Sequence, residues 1–83
     1  MAIDYRGLRA ITARELIAAL SRDGFHFVRQ VGSHQRFHNS DGRKVSVATH
    51  GRGETFTIKT LKSIIELQAR WTEEDLRRLK LLN

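Results

Sequence analysis

Asn39-Ser40-Asp41-Gly42 is the stretch that most narrows what this chain can become. Asn and Asp early in a tight turn, with Gly at its end, fit a type I turn whose glycine takes the left-handed position of a three-residue hairpin loop. Such a loop pairs Asn39 with Arg43 and thereby sets the register on both sides. Phe37 then lies opposite Val45 and Gln35 opposite Val47 on one face, while His38–Lys44, Arg36–Ser46 and His34–Ala48 share the other. One face is mainly apolar and the other mainly polar and basic. A slip of one residue would exchange them, so the register is strongly specified.

A third run, 25–30, precedes this hairpin and alternates, with Phe25 and Phe27 on one side and His26 and Val28 on the other. A three-residue connection, Val31-Gly32-Ser33, sets Phe27 opposite Phe37 and gathers the aromatics on one face. A two-residue loop would set Phe27 opposite His38 and split the core, which favours the longer loop. The expected strands are 25–30, 34–39 and 43–48.

Helical signals flank the strands. Thr12 with Glu15 three residues on is a capping box, Leu16, Ile17 and Leu20 form the apolar stripe, and Gly24 suits a left-handed end. After the flexible link Gly51-Arg52-Gly53, Thr57 caps a helix expected over 58–69, with Ile58, Leu61, Ile64 and Ile65 at helical spacing. Thr72-Glu73-Glu74-Asp75 starts a short third helix carrying Leu76 and Leu79. The expectation is an α+β fold of order α-β-β-β-α. It has a three-stranded antiparallel sheet, two helices on one face and a short C-terminal helix. Phe25, Phe27, Phe37, Val45 and Val47 face the helices, and His34, Arg36, His38 and Lys44 face solvent. The chain reads as one domain over 1–83, with 1–11 as a loosely held N-terminal arm and 12–82 as the functional body.

Composition limits the function. Fifteen Lys and Arg against nine Asp and Glu give a formal charge of +6 on 83 residues, a balance suited to a polyanion. Cysteine is absent, which removes disulfides and thiolate metal sites. No apolar run spans a bilayer, and the first residues lack a secretory pattern, so a cytoplasmic protein without a membrane partner is expected.

One histidine stands at the mouth of the first hairpin, in Gly32-Ser33-His34. Imidazole exchanges protons near neutrality, and on a cationic surface that suggests general acid–base work on a phosphodiester. RNA carries its own nucleophile, the 2′-hydroxyl. An enzyme acting on it needs only to move protons and to stabilise charge on phosphorus, here with Arg36 or Lys44. The plainer alternative is an ordinary surface histidine. A metal site is disfavoured, since His34 and His38 lie about 13 Å apart along a strand and no carboxylate stands at ligand spacing. Ser33 lacks the glycine pattern of a nucleophile elbow. His26 and His50 read as incidental, and Trp71 as a core residue.

Gly24-Phe25, Arg29, Gly32-Ser33-His34 and Phe37, followed by a helix with Ile58, Thr60-Leu61 and Ile64, resemble the HicA toxins of bacterial type II toxin–antitoxin systems. The resemblance covers roughly Thr12 to Leu82. It implies a double-stranded-RNA-binding-domain-like fold and a metal-independent, cofactor-free mRNA interferase whose cleavage arrests translation and growth. It also implies a HicB-like antitoxin covering the catalytic face. The family's motif histidine falls on His34. Gly32 and Ser33 shape its turn, and Arg29, Arg36 and Lys44 are the expected RNA contacts. A non-catalytic RNA-binding module on the same fold is the alternative. A DNA-binding regulator is weaker, because no helix-turn-helix pattern is present.

Overall fold

In the computed structural model, which describes residues 3–82, helix α1 spans Ala13–Arg22. Its start is the expected reciprocal box: the Thr12 hydroxyl accepts from the Glu15 amide, and the Glu15 carboxylate accepts from the Thr12 amide at 3.1 Å. Its end is the expected glycine, Gly24 at φ 91°. Strands β1 (Phe25–Val31), β2 (His34–Asn39) and β3 (Lys44–Ala48) form an antiparallel sheet in the order β1-β2-β3.

The β2–β3 hairpin has the expected register, with Phe37 opposite Val45, Gln35 opposite Val47, His38 opposite Lys44, Arg36 opposite Ser46 and His34 opposite Ala48. The Arg43 carbonyl accepts from the Asn39 amide at 2.9 Å, and Gly42 sits at φ 96°.

The β1–β2 hairpin corrects the sequence reading. Its loop has two residues, Gly32 and Ser33, so Val31 pairs with His34. Gly32 is at φ 60° and Ser33 is not left-handed, the pattern of a II′ turn, whose twist suits flanking strands. Phe27 nevertheless lies opposite Phe37, because a β-bulge between Phe27 and Arg29 absorbs one residue, Val28. Turn and core both obtain the register they need. Phe27 and Phe37 meet edge to face with centroids 5.9 Å apart, but they are not buried together: Phe37 is 4% exposed and Phe27, on the sheet's outer strand, 54%.

Helix α2 covers Ile58–Lys62 behind a Thr57 cap and continues as a π-helix over Ser63–Gln68, where a single α-helix was expected. The wider turn buries Leu61, Ile64, Ile65 and Ala69 together. It also brings Gln68 to the free edge of β3, where its side-chain oxygen accepts from the Ser46 amide at 2.8 Å. Helix α3 spans Glu73–Arg78 and opens with a second capping box, Thr72 with Asp75.

The core joins Leu16 and Leu20 of α1 to Phe25, Phe37, Val45 and Val47 of the sheet and to Leu61, Ile64 and Ile65. Trp71, Leu76 and Leu79 close it, as expected for Trp71. The N-terminal segment is not loose. Tyr5 and Leu8 of a 3-10 turn, and Ile11, are buried in the same cluster, and Tyr5 donates its hydroxyl hydrogen to Glu66. Its periodicity was invisible because the turn is too short to repeat. Met1 and Ala2 of that arm, and Asn83, lie outside the described residues.

Candidate functional site

Directly opposed residues of an antiparallel pair project to the same face, so the observed register assembles the open face of the sheet in three rows. The first row is Val31, His34 and Ala48, the second Arg29, Arg36 and Ser46, and the third His26, His38 and Lys44. His34 is exposed at the start of β2, and Arg36, two residues along the same strand, lies on the same face about 7 Å away. The turn beside His34 is well tied. The Ser33 carbonyl accepts from the Thr49 amide at 3.0 Å, and the Gly32 carbonyl accepts from the Gln30 side chain at 2.9 Å. A side chain at position 32 would meet no atom within 4 Å, but the left-handed φ would strain it.

The bulge decides where Arg29 goes. Under strict alternation from Phe25 and Phe27, Arg29 would project to the helix side. With Val28 absorbed, it stands opposite Arg36 on the face that carries His34. Two guanidinium groups about 5 Å apart at their Cβ atoms repel one another. Among the described residues neither makes a hydrogen bond or an ion pair, and Lys44 is likewise unpaired. None of the nine residues in the three rows is acidic. Carboxylates elsewhere are engaged: Asp23 with Arg43 and Arg78, Asp41 with Arg43, and Asp75 with Arg78.

The face thus carries an uncompensated cationic strip beside an exposed imidazole. A depression of about 200 Å³, lined by Arg36, His38, Lys44 and Ser46, opens on the same strip. His38 and Ser46 were not singled out as contacts from the sequence. The signal was present, since the turn at Asn39–Gly42 already set them beside Lys44 and Arg36. Of the residues that were singled out, His34, Arg29, Arg36 and Lys44 are brought to one face, and Gly32 and Ser33 form the turn at its end.

Among the described residues, no group of three His, Asp or Glu side chains comes together as a metal site, and no helix is long and apolar enough to cross a membrane. The His26 and His38 rings stand edge to face, 6.5 Å apart at their centroids.

Comparison with known proteins meets this geometry at one point. None of the curated proteins matches the chain. The family described as HicA toxin of bacterial toxin-antitoxin matches residues 13–70, from the first residue of α1 to just past the π-helix, and so includes the whole sheet. With that match over most of its length and the α-β-β-β-α order beneath it, the chain belongs to the HicA toxin family of bacterial toxin–antitoxin systems.

Proposed function

We propose that this toxin is a metal-independent endoribonuclease that cleaves mRNA in the cytoplasm and so arrests translation, with His34 as its general acid or base. The observation that carries the reading is the directly opposed, unpaired Arg29–Arg36 couple beside an exposed histidine. Such a couple weakens the sheet unless an anion lies across it. A phosphodiester seated there accepts hydrogen bonds from both guanidinium groups. His34 then draws the proton from the RNA's 2′-hydroxyl, whose oxygen attacks the adjacent phosphorus to form a 2′,3′-cyclic phosphate, while the 5′-oxygen leaves with a proton taken from water. Arg29 and Arg36 hold the charge that builds on the phosphoryl oxygens, and Lys44 and the depression beside it hold a neighbouring phosphate. Gly32 and Ser33 serve by fixing the turn from which His34 projects.

Membership of a toxin–antitoxin family implies an antitoxin partner. We assign the His34 face to a HicB-like antitoxin. Val31 lies in the same row as His34 and is 54% exposed, and Val28, absorbed in the bulge of β1, is exposed as well. Apolar side chains bordering a cationic strip suit an inhibitor that is apolar at its centre and acidic at its rim.

The test is His34→Ala. The side chain is exposed, so stability should change by no more than about 0.5 kcal/mol. Wild-type protein should cleave single-stranded RNA in EDTA, and the variant should bind the same RNA but cleave it at least about a hundredfold more slowly. Growth arrest on induction should be lost with it. Equal cleavage by both proteins would remove His34 from the chemistry. Binding without cleavage by the wild type would leave an RNA-binding module.

A further inference from the structure

The second face of the same sheet end holds a cleft of about 480 Å³ that the reaction above does not use. It lies between α1 and the sheet. Its lining includes Arg14 and Ile17 from α1, Gln30 and Gln35 from the sheet, and His50 and Arg52 from the segment after β3. The volume is in the range of small-ligand sites.

The walls are held in place. The Glu54 and Arg52 carbonyls accept from the Ala13 and Arg14 amides at 2.8 and 3.0 Å, so the segment after β3 is fastened to the start of α1. Gln30 and Gln35 are directly opposed across β1 and β2. Gln30 spends one side-chain N–H on the Gly32 carbonyl, which orients its amide. The Gln35 side-chain carboxamide makes no hydrogen bond among the described residues, and neither does the guanidinium of Arg14 or of Arg52. The cleft therefore offers two adjacent carboxamides, an apolar side from Ile17, and two uncommitted cations.

That set matches a nucleotide. Carboxamides present the donor–acceptor pairs that read a base edge, aliphatic surface covers the base plane, and guanidinium groups take the phosphate. We propose that this cleft binds one unstacked nucleotide of the RNA substrate and selects its base, so that it sets where along a strand the protein acts. The proposal rests on RNA being the substrate. Its placement is favourable: Gln35 follows His34 directly in β2, and successive strand residues project to opposite faces. A single strand passing round the Gly32-Ser33 end of the sheet would place one nucleotide in the cleft and a neighbouring phosphodiester at His34.

The test titrates the four ribonucleoside 5′-monophosphates into isotope-labelled His34→Ala protein and follows amide shifts. Saturable shifts should centre on Gln30, Gln35 and the 50–52 segment, with one base preferred at least about fivefold, the lower end of what a good polar base contact discriminates. Arg14→Ala and Arg52→Ala should weaken all four nucleotides alike, at least about threefold each. Gln35→Leu should leave phosphate binding intact and erase the preference, and the unchanged dispersion of its spectrum shows that it folds. In the otherwise wild-type protein, Gln35→Leu should redistribute the cleavage positions along a long RNA. Absence of saturable binding, shifts confined to the Arg29–Arg36 face, or a preference that survives Gln35→Leu would each overturn the proposal. The titrations need no turnover, so a protein that binds nucleotides in the cleft but does not cleave RNA would remove the endoribonuclease reading and leave the cleft.

Discussion

Asp23 ties together elements that the chain brings from four distant places, and removing it should expose how the body is held. Its carboxylate accepts from the Trp71 indole N–H at 2.7 Å, pairs with Arg43 at 3.1 Å and with Arg78 at 2.9 Å. Its backbone carbonyl accepts from the Asn39 side-chain amide at 2.9 Å. Asp23→Ala keeps the last bond and loses the rest. The buried Trp71 N–H would be left without a partner, which costs about 1–3 kcal/mol. Arg43 keeps Asp41 and the Ala69 carbonyl, so its loss is about 1 kcal/mol. Arg78 is exposed and keeps Asp75, so solvent screens what it loses and it adds little. The total is about 2–4 kcal/mol, or a fall of roughly 10–25 °C in Tm for a domain of this size. Burial by itself raises the Asp23 pKa, and the bonds from Trp71, Arg78 and Arg43 outweigh it, so the carboxyl lies below its ordinary value. A carboxyl depressed on folding stabilises above its unfolded pKa, and that contribution is lost as pH falls through the folded value. The gap between wild type and variant should be constant from about pH 5 to pH 8 and close below about pH 4. Asp75 is depressed too, but it is present in both proteins and cancels in the difference. Urea denaturation followed by circular dichroism, with Trp71 fluorescence as a second probe, measures this directly. A difference under about 0.5 kcal/mol at pH 7, or one that persists unchanged at pH 3, would refute the reasoning.

Two further outcomes test the sheet. Phe37→Ala should cost about 3–5 kcal/mol, as a buried phenylalanine does, whereas Phe27→Ala at its exposed edge position should cost only about 1 kcal/mol; equal losses in urea denaturation would contradict the observed burial. Replacing Arg29 and Arg36 together with Gln should lower the slope of log affinity for single-stranded RNA against log salt by about 1.4, at about 0.7 per phosphate contact, while relieving the repulsion across the strands. The exposed Lys59→Gln on α2 serves as control, and a larger slope change there than on the sheet would move RNA to the helix side.

The helix caps at Thr12, Thr57 and Thr72 and the β2–β3 register were legible because each is decided within a few residues. A threonine hydroxyl reaches its own third neighbour, and Asn39 and Gly42 dictate their own turn. The first hairpin was harder, because two local rules disagree there. Gly32-Ser33 calls for a two-residue turn, while Phe27 and Phe37 call for alignment that such a turn denies. A bulge at Val28 is the structure that satisfies both. The conflict was its only trace in the sequence, and the sequence reading resolved it by lengthening the loop.

What the sequence determined by itself was the order of elements, the apolar face of the sheet, the exposed histidine at a glycine turn and the basic balance that belongs with it. These follow from periodicity and from side chains that act on their own backbone. Tertiary structure decided the rest. Arg29 joins Arg36 only because an extra residue is absorbed in β1 to keep Phe27 over Phe37. The N-terminal segment is held only because Tyr5, Leu8 and Ile11 find a core made by later elements. The π-turn before Ala69 forms where Gln68 reaches the edge of β3 and Trp71 reaches Asp23. In each case the determining contact joins residues ten or more apart in the chain, and its energy exists only once those parts of the chain have met.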